Sequence, residues 1–159
     1  MERYHAILED EEFLEGLRKI EKYEENRIYC RHSLEHLCDV ARMMYIFVLE
    51  EGSDLEQDMI YATALLHDMG RVKEYEDGTP HHEASVEFAE RILKKHGFSE
   101  EEIAYMTDAI GHHRKEQEEP SELAELLHRA DKLSRNCFWC KATATCKWAE
   151  EKKNQTLIV

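Results

Sequence analysis

Proline and glycine are scarce in this chain, at 2 and 6 residues out of 159. So few turn formers exclude frequent breaks and leave long uninterrupted segments. Glu, Leu, Ala, Met, Arg and Lys fill those segments, and that is helix-forming composition. The fold class expected is all-α. Long apolar runs are missing too, so no membrane span is expected. Cations are outnumbered, with 21 Lys and Arg against 35 Asp and Glu, for a net charge of -14. That sign argues against nonspecific binding to a nucleic-acid polymer, whose phosphates need Lys and Arg. It leaves room for a nucleotide ligand, because a local cluster of cations and metal can override the global sign. The first residues, Met1-Glu2-Arg3-Tyr4-His5, lack the charged-then-apolar pattern of a secretory leader. The cytoplasm is therefore the expected compartment, where the five cysteines would be thiols or metal ligands rather than disulfides. No internal repeat, low-complexity linker or domain boundary is found. The expected organisation is a single domain, 1–159, with one sizeable core.

Apolar residues spaced three and four apart predict about six helices. The first, from about Ile7 to Glu24, carries Ile7, Leu8, Phe13, Leu14, Leu17 and Ile20 opposite a Glu-rich solvated face. Asn26 to Arg31 reads as a connection. Ser33 can cap the second helix, which runs to Glu51 before Gly52 and turns His36, Val40, Met43, Met44 and Phe47 to one face. His32 lies four residues before His36 and shares that face if the helix starts early enough. Asp54 caps a third helix ending at His67-Asp68. Arg71 to Pro80 is expected to be a charged loop with an Asp77-Gly78 turn, long enough to carry function. His81 or His82 opens the fourth helix, and Gly97 stops it. Ser99-Glu100-Glu101-Glu102 is a capping box for the fifth, which ends near His112-His113. Pro120 starts the sixth, running through Leu123, Leu126, Leu127 and Ala130 to Asp131 and Leu133.

The stretch Ala64-Leu65-Leu66-His67-Asp68-Met69-Gly70-Arg71 stands at the centre of this pattern. Adjacent helical residues point about 100° apart. His67 and Asp68 can serve one metal only at a helix end or a distortion. A buried imidazole and carboxylate each need a partner. A metal ion is one, and a plain His-Asp hydrogen bond is another. The surroundings decide. His36, His67, Asp68, His81 or His82, His112, His113 and Asp131 all fall at helix ends or on apolar faces of different helices. Bundles build metal sites from inward ligands on several helices in this way. Imidazole and carboxylate together suit one or two ions of iron, manganese, zinc, cobalt or nickel.

These residues resemble the HD superfamily of metal-dependent phosphohydrolases. The order H…HD…D, with Leu65-Leu66-His67-Asp68-Met69-Gly70-Arg71 at its centre, covers about residues 31–135. The resemblance implies a compact helical HD domain. It makes His36, in His36-Leu37-Cys38-Asp39-Val40-Ala41, the first ligand rather than His32. It makes Asp131, in Ala130-Asp131-Lys132-Leu133, the last. His81-His82-Glu83-Ala84-Ser85 and Ala109-Ile110-Gly111-His112-His113 resemble the additional motifs of binuclear members, with His81 preferred over His82. Arg114-Lys115-Glu116 does not continue into a GYP-type segment, so cyclic di-GMP hydrolysis is not implied, and nothing specifies a diadenosine tetraphosphate enzyme. The implied chemistry is hydrolysis of a phosphomonoester, phosphodiester or phosphoanhydride in a nucleotide or other small phosphorylated metabolite. Metal lowers the pKa of water, and Asp68 orients the attacking oxygen. Arg71, Lys73 and Lys132 flank the ligand motifs and are candidates to neutralise phosphoryl oxygens, although each also suits an ordinary surface position. Arg31 and His32 are placed to contact phosphate, or else to cap and pack.

The segment from Cys137 to Lys147 differs in composition and lies outside the resemblance. Cys137, Cys140 and Cys146 form a C-x2-C-x5-C array, which suggests a zinc or iron–sulfur site with Cys30 as fourth ligand. Cys38 reads as a small core residue. Packing of the thiols with Phe138, Trp139 and Trp148 is the plainer alternative. Besides an enzyme, two readings remain. One is a non-catalytic HD module that senses a nucleotide or metal. The other is a redox- or iron-responsive protein using the cysteine array.

Overall fold

The structure, a computed structural model, describes residues 2–159. Among them are eight α-helices and no strand: α1 Arg3–Leu8, α2 Glu11–Tyr23, α3 Leu34–Glu51, α4 Gln57–Leu66, α5 Arg71–Asp77, α6 His81–Lys95, α7 Glu100–His112 and α8 Glu122–Leu133. Three 3-10 turns follow, at Cys137–Trp139, Thr143–Thr145 and Glu150–Lys152. None of these helices is long and apolar enough to cross a membrane.

The all-α class stands, with two more helices than the periodicity predicts. The expected first helix is broken at Asp10. Its carboxylate accepts from the amides of Glu12 and Phe13, so it starts a new helix within an unbroken apolar pattern. The charged stretch after Gly70 is helical rather than a loop. Gly78 ends α5 in the left-handed region at φ 80°, a conformation that glycine adopts without cost. α4 begins two residues after the position expected for an Asp54 cap, with Glu56 at the N-cap. α8 begins at Glu122, where the Ser121 side chain accepts from the amide of Ala124. The Ser99 capping box is present as expected, with the Glu102 side chain returning to the Ser99 amide.

One core of Ile, Leu, Phe, Met, Val and Ala side chains joins these helices. α4 sits at its centre and packs against α1, α3, α6, α7 and α8. Ile60, Ala62, Thr63, Ala64, Leu65 and Leu66 are all buried there, and a helix apolar on every side belongs in such a place. The consequence for function is positional. Whatever follows Leu66 emerges in the middle of the bundle, facing the ends of α3, α6, α7 and α8.

Candidate metal centre

His67 and Asp68 follow Leu66 in a turn rather than within α4. The helix end therefore releases the pair from the angular conflict that a continuous helix imposes. His67 is fully buried and Asp68 is 2% exposed. The His67 Nδ1–H donates to the Ala64 carbonyl at 2.6 Å, which directs Nε2 inward. His113 repeats the device at the end of α7, with Nδ1 on the Ile110 carbonyl at 2.6 Å. His81 opens α6, and its Nδ1 faces Glu74 Oε2 at 2.7 Å. An imidazole whose far nitrogen is tied to a carbonyl or carboxylate presents the other as a ligand in fixed orientation.

All these inward nitrogens meet Asp68. Its Oδ2 lies 3.2 Å from His67 Nε2 and 3.6 Å from His36 Nε2. Its Oδ1 lies 3.5 Å from His81 Nε2 and 3.6 Å from His113 Nε2. Asp131, near the end of α8, brings Oδ1 within 3.1 Å of His36 Nε2 and 3.5 Å of His67 Nε2. Two ligand groups result, His36-His67-Asp68-Asp131 and Asp68-His81-His113, and in each the ligand atoms lie within 4.8 Å of one another. Asp68 belongs to both.

The donor set fits a metal on an observation independent of proximity. His36 Nε2 and His67 Nε2 are buried without a hydrogen-bond partner of acceptable geometry. Leaving such atoms orphaned is costly, so a ligand of another kind belongs there. Charges agree. Burial opposes ionisation of Asp68 and Asp131. Even so, the imidazoles of His67, His113 and His36 hold Asp68 well below the usual carboxylate range, and those of His36 and His67 do the same for Asp131. Burial also opposes the His67 imidazolium, but Asp68 and Asp131 outweigh it and push the group up to about 10. Burial, with Arg71 nearby, pushes His81 down to about 4. The site thus holds two ionised carboxylates against an imidazole proton on His67, a proton that a metal cation can replace.

Of the expected ligands, six converge: His36, His67, Asp68, His81, His113 and Asp131. His112 does not. It is the last residue of α7 and points outward, with its Nδ1 on the Asp108 carbonyl and half its side chain exposed. His113 follows in the turn, about 100° further round, and so faces inward. His82 also stays outside both groups. His32, by contrast, is buried in the site wall. Its Nδ1 meets Glu24 Oε1 at 2.5 Å, and its Nε2 stands 4.0 Å from Asp68 Oδ2. Glu24 is held further by the Tyr75 hydroxyl and the His32 amide.

The site forms the floor of a cavity of about 610 Å³. Arg27, Arg71, Arg114, Lys132, Arg135 and Lys147 line it, together with Tyr29 and Trp148. Arg71 and Lys132 therefore reach the place expected of them. Arg71 also bridges Asp68 Oδ1 and Glu74 Oε1, each at 3.3 Å. Lys73 instead pairs with Glu87 on the surface, and Arg31 is spent on the carbonyls of Arg27 and Glu25. The other four cations, with Glu24 and Glu74, are additions that sequence reasoning missed. Arg114 and Arg135 closely follow the ligand motifs, which is the one signal that marks them.

Comparison with known proteins bears on the family and the fold. The HD domain family matches residues 33–136. An uncharacterized protein of Clostridium beijerinckii is 42% identical over 154 residues, covering 97% of each chain. The fold resembles that of a crystal structure of a predicted HD superfamily hydrolase from an uncultured Thermotogales bacterium. That likeness has a TM-score of 0.66 at 24% identity and covers 89% of this chain and 79% of the other. The chain belongs to the HD domain family.

Proposed function

We propose that this protein is a metal-dependent phosphohydrolase acting on a nucleotide or another small phosphorylated metabolite. The observation that carries the reading is the position of Asp68. Its two carboxylate oxygens face two separate ligand groups at the floor of one cation-lined cavity. His36, His67 and Asp131 would hold one divalent ion, His81 and His113 a second, and Asp68 both. Ions in such a site supply Lewis acidity, polarising a phosphoryl oxygen and lowering the pKa of water.

The chain's own residues do the rest. Arg71 and Lys132 stand closest to the ligand motifs and offset charge on phosphoryl oxygens as the ester or anhydride bond breaks. Arg27, Arg114, Arg135 and Lys147 extend the positive lining outward. Six cations around one cavity, in a chain of net charge -14, favour an anionic ligand over a neutral one. Glu74 and the Ala64 and Ile110 carbonyls keep His81, His67 and His113 in the tautomer that presents Nε2. Tyr29 and Trp148 offer aromatic surface at the cavity wall, which suits a nucleobase.

The test is a screen of nucleotides, dinucleotides, sugar phosphates and simple esters with metal-loaded protein, following phosphate release. Turnover is expected, and Asp68→Ala or His67→Ala should abolish it while the far-ultraviolet dichroism stays helical. Absence of turnover across that panel would contradict the reading.

A further inference from the structure

The C-terminal segment carries a second constellation that the His–Asp centre does not use. Cys137, Cys140 and Cys146 lie on and beside the 3-10 turns after α8, while Cys30 lies between α2 and α3. Cys30 is remote from the others in sequence. Nevertheless all four thiols, each half-buried, line one cavity of about 190 Å³.

The fold goes to some length to make this meeting. The Tyr29 hydroxyl donates to the Thr145 carbonyl at 3.2 Å, and the Arg135 guanidinium donates to the Arg31 carbonyl at 2.6 Å. Those two bonds draw the Cys30 segment onto the array. Asn154 closes the strap from the other side. Its side-chain amide donates to the carbonyls of Lys132 and Arg135 at 2.9 and 2.7 Å, and its own carbonyl accepts from the Phe138 amide. The Lys153 side chain is buried beneath, with Nζ on the Thr143 carbonyl at 2.8 Å.

Thiols kept as small apolar fillers would sit against carbon side chains and leave no space. These surround a cavity whose lining also includes Arg135, Asn136, Thr143 and Lys153. A single zinc ion needs four sulfurs about 2.3 Å from its centre, hence about 3.8 Å apart. Among the described residues these thiols do not belong to the groups whose ligand atoms gather within 4.8 Å. A polynuclear cluster, whose four thiolates bind different iron atoms, suits the wider spacing. We propose that Cys30, Cys137, Cys140 and Cys146 are the ligands of an iron–sulfur cluster. Arg135 and Lys153 stand in the same lining, cations that offset the charge that appears when the thiols lose their protons to the metal.

The consequence reaches the phosphate cavity. Tyr29, Cys30, Arg135, Cys146 and Trp148 line both cavities. The Asn154 clamp grips the carbonyls at the end of α8, the helix that carries Asp131 and Lys132. The cluster is therefore a staple for one wall of the candidate active site.

The full chain purified without oxygen tests this, by iron, acid-labile sulfide and zinc analysis and by its visible spectrum. Acid-labile sulfide is expected, with at least as much iron and a broad sulfide-to-iron absorption. Sulfide is the deciding readout, because the His–Asp centre can itself take iron. The chromophore should vanish in Cys137→Ser and Cys140→Ser and persist in Cys38→Ser and His67→Ala. Should the first two variants fail to fold, ferricyanide treatment of the intact protein must bleach the absorption and deplete its acid-labile sulfide, which the oxidant converts to zero-valent sulfur. Stoichiometric zinc on these thiols without sulfide, or no metal beyond the His–Asp centre, overturns the proposal.

Discussion

Gly70→Ala probes how the second ligand group is held. A Cβ at Gly70 would stand 2.1 Å from the His81 carbonyl oxygen, 2.3 Å from the Ser85 amide nitrogen and 2.7 Å from the Ala84 carbonyl carbon. All three are backbone atoms of α6, so no side chain can swing aside. The φ of Gly70 is -67°, which any residue adopts, so the conflict is steric alone. Restoring ordinary contact takes the closest pair from 2.1 Å to at least 3.4 Å. A shift of that size between the Asp68 turn and the start of α6 also moves His81 from Asp68 Oδ1. Metal ligands tolerate about 0.2 Å. Overpacking costs about 1–3 kcal/mol. Losing the bond from the Gly70 amide to Ser85 Oγ, 2.8 Å long, adds about 1 kcal/mol. The total of about 2–4 kcal/mol corresponds to a fall in Tm of roughly 4–16 °C at this chain length. Gly16→Ala and Gly111→Ala are the controls. The first meets the flexible end of Met69 at 2.7 Å and Phe88 at an ordinary 4.0 Å, and the second meets Val86 at 3.3 Å. Each should stay within about 1 kcal/mol of the parent. Thermal unfolding and metal content, measured together, check the series. A Gly70→Ala protein that melts with the controls and keeps its full metal complement would refute the reasoning.

Other expectations follow from the charges. His67 must shed its proton to bind metal, and Asp68 and Asp131 hold that proton up to about 10 against the opposing effect of burial. Metal affinity should therefore rise about tenfold per pH unit between about pH 6 and 8. His81, held at about 4, adds nothing in that range; titration calorimetry showing no proton release would contradict this. Lys132→Met should lower kcat/KM by about 10–100-fold with metal content unchanged, the cost of one charged hydrogen bond; unchanged kinetics would remove Lys132 from the site. Glu102 is held at about 2, chiefly by Arg3 and then by the Ser99 amide. Its folded value lies below the unfolded 4.5, so its contribution is complete above about pH 4.5 and lost toward pH 2. The stability gap between the parent and Arg3→Met should shrink over that range in urea titrations.

Much of this architecture can be read from the chain, and the failures have identifiable causes. α3, α6, α7 and α8 announce themselves because each turns a periodic apolar face to the core, and α4 does so through its largely apolar run from Ala62 to Leu66. The break at Asp10 is hidden because Ile7, Leu8, Phe13 and Leu14 stay in helical step across it. α5 is hidden for the opposite reason: it has no buried residue, so no period exists to detect. The converging side chains are legible where a motif supplies them, through His36, His67, Asp68, His81, His113 and Asp131. His112 and His113 could not be separated, since the angular position of a helix end depends on tertiary packing. His32 was visible only as a neighbour of His36. Its partner Glu24 comes from the end of α2, a long-range meeting that no local pattern encodes. The cavity cations Arg27 and Lys147 were unmarked for the same reason.

The central claim is that Asp68 lies between two metal positions. Equilibrium dialysis against manganese, which thiolates bind poorly, tests it most directly by counting ions per chain. Two ions are predicted for the parent and for His112→Ala, whose imidazole points outward, and one for His113→Ala, which removes a ligand from one group only. A parent chain that holds one ion, and holds it equally well in His113→Ala, would contradict the account.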